Sequence, residues 1–374
     1  MNSYFSEIRK NFGFGFMRLP MQGEEVDIEE TTKMVDFFLE NGFNYFDTAH
    51  VYLSGKSEKA LKTCLTSRHS RDSYILTDKL TGSFFEKQED IRPFFESQLE
   101  ACGVQYFDFY LMHAQNASVY KKFKSCKAYE TALELKNEGK IKHFGISFHD
   151  TAEVLDMILS ENPQIEVVQI QFNYLDFDDV AVQSGKCYEV CRKYNKPVIV
   201  MEPVKGGRLA SLVPEAEKAL TELKGGSPAS YAVRFAVGFE GVMMVLSGMS
   251  NMEQMRDNIS CMKEFKPLDE TEKSAVNRVV EIMRSQQFIP CTSCRYCIDG
   301  CPKHISIPDL FACMNAKKQH KDWNSDFYYT EVYTKNNGKA SDCIKCGMCE
   351  EACPQHLEIR KLLEMVAEQF EKED

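Results

Sequence analysis

Nowhere in its 374 residues does the chain carry an apolar run of about 18 residues, so no segment has the length and hydropathy to cross a bilayer as a helix. The first 15 residues carry polar and charged side chains and lack the apolar centre of a secretory signal. Positive charge is in deficit: 45 Lys and Arg face 56 Asp and Glu, a net charge of −11. An acidic chain has no general attraction for phosphate backbones or anionic surfaces, so neither nucleic acid nor a membrane is expected as a partner. A phosphate loop is missing as well. Gly13 and Gly15, in Gly-Phe-Gly-Phe, have no third glycine at G-x-G-x-x-G spacing. These absences predict a cytoplasmic protein.

Cysteine, by contrast, is abundant. The 15 cysteines are odd in number, in a chain expected to stay in a reducing compartment. Metal or cluster ligation therefore explains them better than disulfides. Eight fall in two runs. Cys291, Cys294, Cys297 and Cys301 precede Pro302, and Cys343, Cys346, Cys349 and Cys353 precede Pro354. Both runs read C-x-x-C-x-x-C-x-x-x-C-P. Three thiolates at that spacing can wrap a tight loop around one cubane, while the fourth, after a chain reversal helped by proline, points away. The pattern resembles the bacterial two-cluster ferredoxins. That resemblance implies two 4Fe–4S clusters, one held by Cys291, Cys294, Cys297 and Cys353 and the other by Cys343, Cys346, Cys349 and Cys301. Zinc is the competing reading of paired cysteines, and two complete runs with proline after each favour clusters. Cys187 and Cys191 share a helix face, and Cys64, Cys102, Cys126, Cys261 and Cys313 stand alone. All seven read as small buried hydrophobes.

Short β-branched or aromatic runs recur at residues 13–17, 43–46, 73–76, 107–112, 143–146, 167–170, 197–200 and 242–246. Between them, residues 29–40, 89–101, 128–138, 151–159 and 228–238 carry apolar positions three and four apart, the helical period. Eight strands, each followed by a helix, over about 250 residues predict a (β/α)8 TIM barrel. A doubly wound open sheet is the alternative, disfavoured by the missing phosphate loop. The expected organisation is a barrel over 1–265, a connecting helix over 266–287 beginning after Asp269, and a small α-rich ferredoxin-type domain over 288–374. Within that domain, residues 309–318 read as a helix, and Trp323, Tyr328, Tyr329 and Tyr333 as an aromatic patch that packs the cluster domain or covers a substrate mouth.

Chemistry in such a barrel sits at the C-terminal ends of its strands. Those ends carry Asp47 and, shortly after, Tyr52; then Lys79; then His113. In this order, with Asp-Thr-Ala-x-x-Tyr around the first two, the residues resemble the aldo/keto reductase family over roughly residues 10–262. The chemistry is coherent by itself. Reducing a carbonyl needs a hydride at carbon and a proton at oxygen. A tyrosine can give the proton, but a free phenol has a pKa near about 10 and needs help. The Lys79 ammonium favours the phenolate and so eases donation, Asp47 holds the lysine charged, and His113 can orient the carbonyl or relay a proton.

The family resemblance implies a nicotinamide cofactor, NADPH or NADH, bound without a Rossmann fold. It assigns Ser147 and Gln171 to the carboxamide, with Phe148 where an asparagine usually follows the serine. Met201 stands where the family often places a stacking aromatic. Gly248 and Ser250 lie near a helix N-terminus that suits an anion. Gln254 falls where NADP-preferring relatives often carry arginine, and Asn258 matches the residue that reads the adenine. The expected function is reduction of a carbonyl, or oxidation of an alcohol, on a small molecule. The clusters would be structural or an electron port, with a ferredoxin or flavoprotein as donor. Two other readings stand beside it: a ferredoxin-coupled single-electron reductase with the barrel as substrate site, and a non-enzymatic redox sensor. Nicotinamide moves two electrons as hydride and a 4Fe–4S cluster moves one, so the two cannot exchange directly without a mediator.

Overall fold

A computed structural model describes residues 4–180, 182–223, 225–286, 288–320 and 324–371. Chain contacts divide it into two units: Met1–Val204 with Ala229–Glu270, and Lys205–Pro228 with Thr271–Asp374.

The first unit is a closed parallel barrel of eight strands. They are β1 (Phe12–Gly15), β2 (Tyr45–Asp47), β3 (Ile75–Leu80), β4 (Phe107–Gln115), β5 (Ile141–Phe148), β6 (Val167–Gln171), β7 (Val198–Met201) and β8 (Val242–Gly248). Each pairs with the next, and β1 closes the ring between β8 and β2. A closed ring has no edge and no switch point, which disposes of the open-sheet alternative. The strands are apolar on both faces because helices cover the outside and side chains fill the inside. Tyr45, Phe109, Leu111, Val167, Ile199, Met244 and Leu246 fill the interior. Phe5 and Ile8 pack against that cluster, with the Phe5 ring 5.1 Å from Phe109, edge on.

The surrounding helices follow the apolar period closely. Ile28–Glu40 buries Thr31, Met34, Val35 and Phe38, and Asp27 caps it by accepting from the Glu30 amide. A two-residue hairpin, Met21–Gln22 against Glu25–Val26, is too short to show an alternating pattern and was not expected. Its turn uses Gly23 at φ +64°.

The second unit holds the helices Glu270–Ser285, Ile307–His320 and Ile359–Phe370. The middle one starts two residues before the expected Asp309. Pro308 thus lies in its first turn, where a missing N–H costs no helical bond. Ile359, Leu363 and Val366 form the buried face of the last helix and meet Leu310 and Phe311 in a small core. Tyr329 is buried in this core, stacked on Phe370 at 4.6 Å, while Tyr328 is exposed. Trp323, expected in the aromatic patch, lies outside the described residues.

Two glycines show how tightly the barrel interior is packed. A Cβ on Gly145 would meet Val167 Cγ1 and the Val167 carbonyl oxygen at 2.5 Å, whereas one on Gly15 has nothing nearer than 3.6 Å. Gly145→Ala is therefore expected to destabilise by about 1–3 kcal/mol. Gly15→Ala should stay within about 0.5 kcal/mol of the wild type. Chemical denaturation of the two variants side by side checks this, and equal losses would contradict it.

Candidate active site and cysteine cavities

Lys79 is fully buried in β3, an expensive place for an ammonium unless it is paired. Its Nζ donates to Asp47 Oδ1 at 2.7 Å and to the Thr48 carbonyl oxygen at 2.7 Å. Asp47 ends β2, the neighbouring strand, where register brings it opposite Thr77. Burial raises the Asp47 carboxyl above the usual carboxylate range, and Lys79 and Gln169 pull it back. The Gln169 amide donates to Asp47 Oδ2 at 3.4 Å.

Tyr52 stands in a short 3-10 turn after β2, with its ring centroid 4.8 Å from Lys79 Nζ and 5.9 Å from the His113 ring. Leu53, Ser54 and Gly55 all have positive φ, at 51°, 55° and 81°. Two non-glycine residues in this region store backbone strain, a cost met where the surrounding structure dictates the conformation. His113 lies in β4 and its Nδ1 meets Thr81 Oγ1 at 2.7 Å. Burial first, then the Lys79 charge and His149, push its imidazole well below the ordinary histidine range, so it is neutral at pH 7.

Behind Lys79 lies a buried polar cluster that the sequence reading passed over. Asp78 Oδ1 accepts from the Lys79 amide at 2.8 Å, and the Gln98 amide donates to the Lys79 carbonyl at 3.1 Å. Asp78 is pushed well above the carboxylate range by burial and by the nearby charge of Glu58. Glu58 in turn meets His50 Nδ1 at 2.7 Å, and Cys102 Sγ lies 3.7 Å from Asp78 Oδ2. These groups clamp the peptide units on both sides of Lys79. Gln169 carried a readable signal, since it shares a strand face with Gln171. Thr81, Glu58 and Gln98 carried none, because long-range packing brings them in.

The residues assigned to the nucleotide occupy the ends of later strands. Ser147 Oγ in β5 accepts from the Ala114 amide at 2.7 Å. Gln171 ends β6, and its amide donates to Asp176 Oδ2 at 2.6 Å, an oxygen shared with Asn173. Phe148 is buried in the outer core. Met201 ends β7 and Gly248 ends β8. Asn251 caps the helix Met252–Lys263 by accepting from the Gln254 amide at 2.9 Å, and the Gln254 side chain reaches back to the Ser250 amide at 2.8 Å. Ser250 Oγ donates to the Arg18 carbonyl. Asn258 is buried, with its Oδ1 lacking a hydrogen-bond partner.

In the second unit, Cys291, Cys294, Cys297 and Cys353 line one cavity. Cys301, Cys343, Cys346 and Cys349 line another. Each cavity takes three cysteines from one run and the fourth from the other. Burial, then the proximity of Cys294, Cys291 and Cys353, pushes the Cys297 thiol up. Cys349 is pushed up to about 11 by burial and by Cys343, among others. Eight sulfurs in two sets of four suit thiolate-ligated clusters. The remaining cysteines are buried, except the half-buried Cys261.

Removing the ammonium from this site strands a buried carboxylate. Lys79→Met is expected to destabilise the fold by about 3–5 kcal/mol. Adding Asp47→Asn should recover most of that loss, because the orphaned charge goes with it. Urea unfolding of the single and double variants measures both, and a double variant no more stable than the single would contradict the pairing.

With this geometry in view, comparison with known proteins is specific. Residues 11–281 match the model of the aldo/keto reductase family, and residues 290–358 match the 4Fe-4S dicluster domain. The chain is 25% identical over 285 residues to aldo-keto reductase family 1 member C3 of Pongo abelii, covering 66% of this chain and 81% of that protein. It is 24% identical over 275 residues to the 9,11-endoperoxide prostaglandin H2 reductase of Trypanosoma cruzi, covering 72% and 90%. An aldo-keto reductase from Klebsiella pneumoniae, solved in complex with NADPH, superposes with a TM-score of 0.60 at 18% identity, over 72% of this chain and 90% of that one, which shows a shared fold. The chain belongs to the aldo/keto reductase family of oxidoreductases and carries a 4Fe-4S dicluster domain on its C-terminal side.

Proposed function

We propose that the barrel reduces a small-molecule carbonyl, or oxidises the matching alcohol, with NADPH or NADH, and that the C-terminal unit carries two 4Fe–4S clusters as a one-electron port. The observation behind the first part is the buried Lys79–Asp47 pair with the Tyr52 ring 4.8 Å from the ammonium and a neutral His113 beside it. The nicotinamide, when bound, supplies hydride to the carbonyl carbon. Tyr52 gives its phenolic proton to the carbonyl oxygen. Lys79 stabilises the phenolate left behind, and Asp47 keeps the lysine charged and in place. His113, being neutral, can donate a hydrogen bond that orients the carbonyl without adding a second positive charge.

Ser147 and Gln171 are assigned to the carboxamide, and Met201 to the ring face, where a thioether packs. Gly248, Ser250 and Gln254, at the start of the helix Met252–Lys263, are assigned to the phosphates. Asn258, with its partnerless Oδ1, is assigned to the adenine, whose exocyclic amine is a donor. The cluster sets are Cys291, Cys294, Cys297 with Cys353, and Cys343, Cys346, Cys349 with Cys301. The support for them is the sharing of each cavity by three cysteines of one run and one of the other. A ferredoxin or flavoprotein is the proposed donor, because the clusters exchange single electrons.

Anaerobically purified protein is expected to hold about eight iron and eight acid-labile sulfide per chain, the content of two cubanes. Stoichiometric zinc without sulfide would replace this reading with a structural metal site.

Tyr52→Phe is expected to lower carbonyl turnover by about two to four powers of ten and to leave nucleotide affinity nearly unchanged, since a proton donor acts in the transition state. A variant within about a factor of two of wild-type turnover would remove Tyr52 from the role and move the proton donor to His113.

A further inference from the structure

Register brings Thr81 to His113. Strands β3 and β4 pair in parallel, with Lys79 opposite Leu111 and Leu80 opposite Met112. One step further, the same register sets Thr81 opposite His113, and the Thr81 backbone is still extended, at φ −96° and ψ 129°. Side chains alternate along a strand. Thr81 therefore shares the face of Lys79, and His113 the face of Leu111, which fills the barrel interior. The two side chains meet at 2.7 Å, Thr81 Oγ1 against His113 Nδ1.

Thr81 stands at the N-cap of the 3-10 turn Gly82–Phe84, where a threonine hydroxyl ordinarily accepts from a backbone amide of the turn. It makes no such bond here. The Thr81 carbonyl closes the turn instead, accepting from the Phe84 amide at 3.2 Å. The hydroxyl proton is left with one acceptor among the described residues, Nδ1 of His113. With the ring proton on Nδ1, the hydroxyl would turn its own proton away from the ring, where no described residue accepts it. The imidazole is neutral, so it holds a single proton and accepts at the other nitrogen. Nε2 has no hydrogen-bond partner among the described residues.

We propose that Thr81 is a positioning residue for carbonyl reduction: its hydroxyl donates to Nδ1 and so holds His113 as the Nε2–H tautomer, with the N–H on the nitrogen that no protein group occupies. Which nitrogen of a neutral histidine carries the proton is set by the hydrogen bond at the other. The consequence for catalysis rests on the carbonyl reading above, and the tautomer itself does not. A carbonyl oxygen only accepts, and it gains negative charge as hydride arrives at its carbon. An Nε2–H stabilises that charge, whereas the opposite tautomer would set a lone pair against it.

The test uses full-length protein labelled at the histidine ring nitrogens. A bare and a protonated imidazole nitrogen resonate far apart in NMR, and His113→Gln identifies the His113 signals by removing them. The wild type is expected to show a bare Nδ1 and a protonated Nε2. Thr81→Val keeps the shape and removes the hydroxyl, so it should lose this distribution. It should also lower kcat on the order of tenfold, with benzaldehyde and butanal as probes and nucleotide affinity unmoved. Thr81→Ala removes the same hydroxyl and should do likewise, so the comparison stands if one of the two folds poorly. Thr81→Ser keeps the hydroxyl and should hold the wild-type tautomer and turnover within about a factor of two. A wild-type ring with its proton on Nδ1, a tautomer unchanged in both Thr81→Val and Thr81→Ala, or Thr81→Ser behaving like Thr81→Val would overturn the proposal. A wild type that shows the Nε2–H tautomer, loses it in Thr81→Val and reduces neither aldehyde would uphold the tautomer and count against the carbonyl reading, so the two failures are distinguishable.

Discussion

A lysine ammonium with no access to water, held at 2.7 Å by Asp47 and at 2.7 Å by the Thr48 carbonyl, is the constraint around which the barrel site is arranged. Burial would make either charge costly alone, so the pair exists only because two adjacent strands bring both groups to the same end of the barrel. The rest of the site answers to that charge. The Tyr52 ring lies close enough for its phenol to feel the ammonium, and His113 is kept neutral partly by it. Asp78 and Gln98 fix the peptide groups on either side of the lysine from behind. The strained residues Leu53 and Ser54 follow directly on Tyr52, where the chain turns away from the site.

The C-terminal unit is organised by a different constraint, the reach of short cysteine loops. Two-residue spacing lets three sulfurs converge, and the proline after the fourth turns it toward the other loop. The result is two cavities that each borrow one cysteine. Such crossing ties the two loops together in a region whose core is small, built from Ile359, Leu363, Val366 and their neighbours. A small core of this kind gains most from metal ligation. In the proposed function the two halves of the chain handle electrons in different denominations, pairs in the barrel and singles in the cysteine region.

Much of this was written in local pattern. The alternation of β-branched runs with helical periods is a property of neighbours in sequence, so all eight strands were legible within a few residues. The cysteine runs were legible for the same reason, as were Asp47, Tyr52, Lys79 and His113, because a strand end announces itself by the change from apolar to polar. Tertiary structure alone decided what those residues meet. Thr81 on His113, Gln169 on Asp47, and Glu58 and Gln98 behind Lys79 are contacts between residues distant in sequence, and Lys205 reaches Gln355 across 150 positions. A single sequence carries no local trace of such pairs. Burial and packing select them, and with them the charge states on which the chemistry rests.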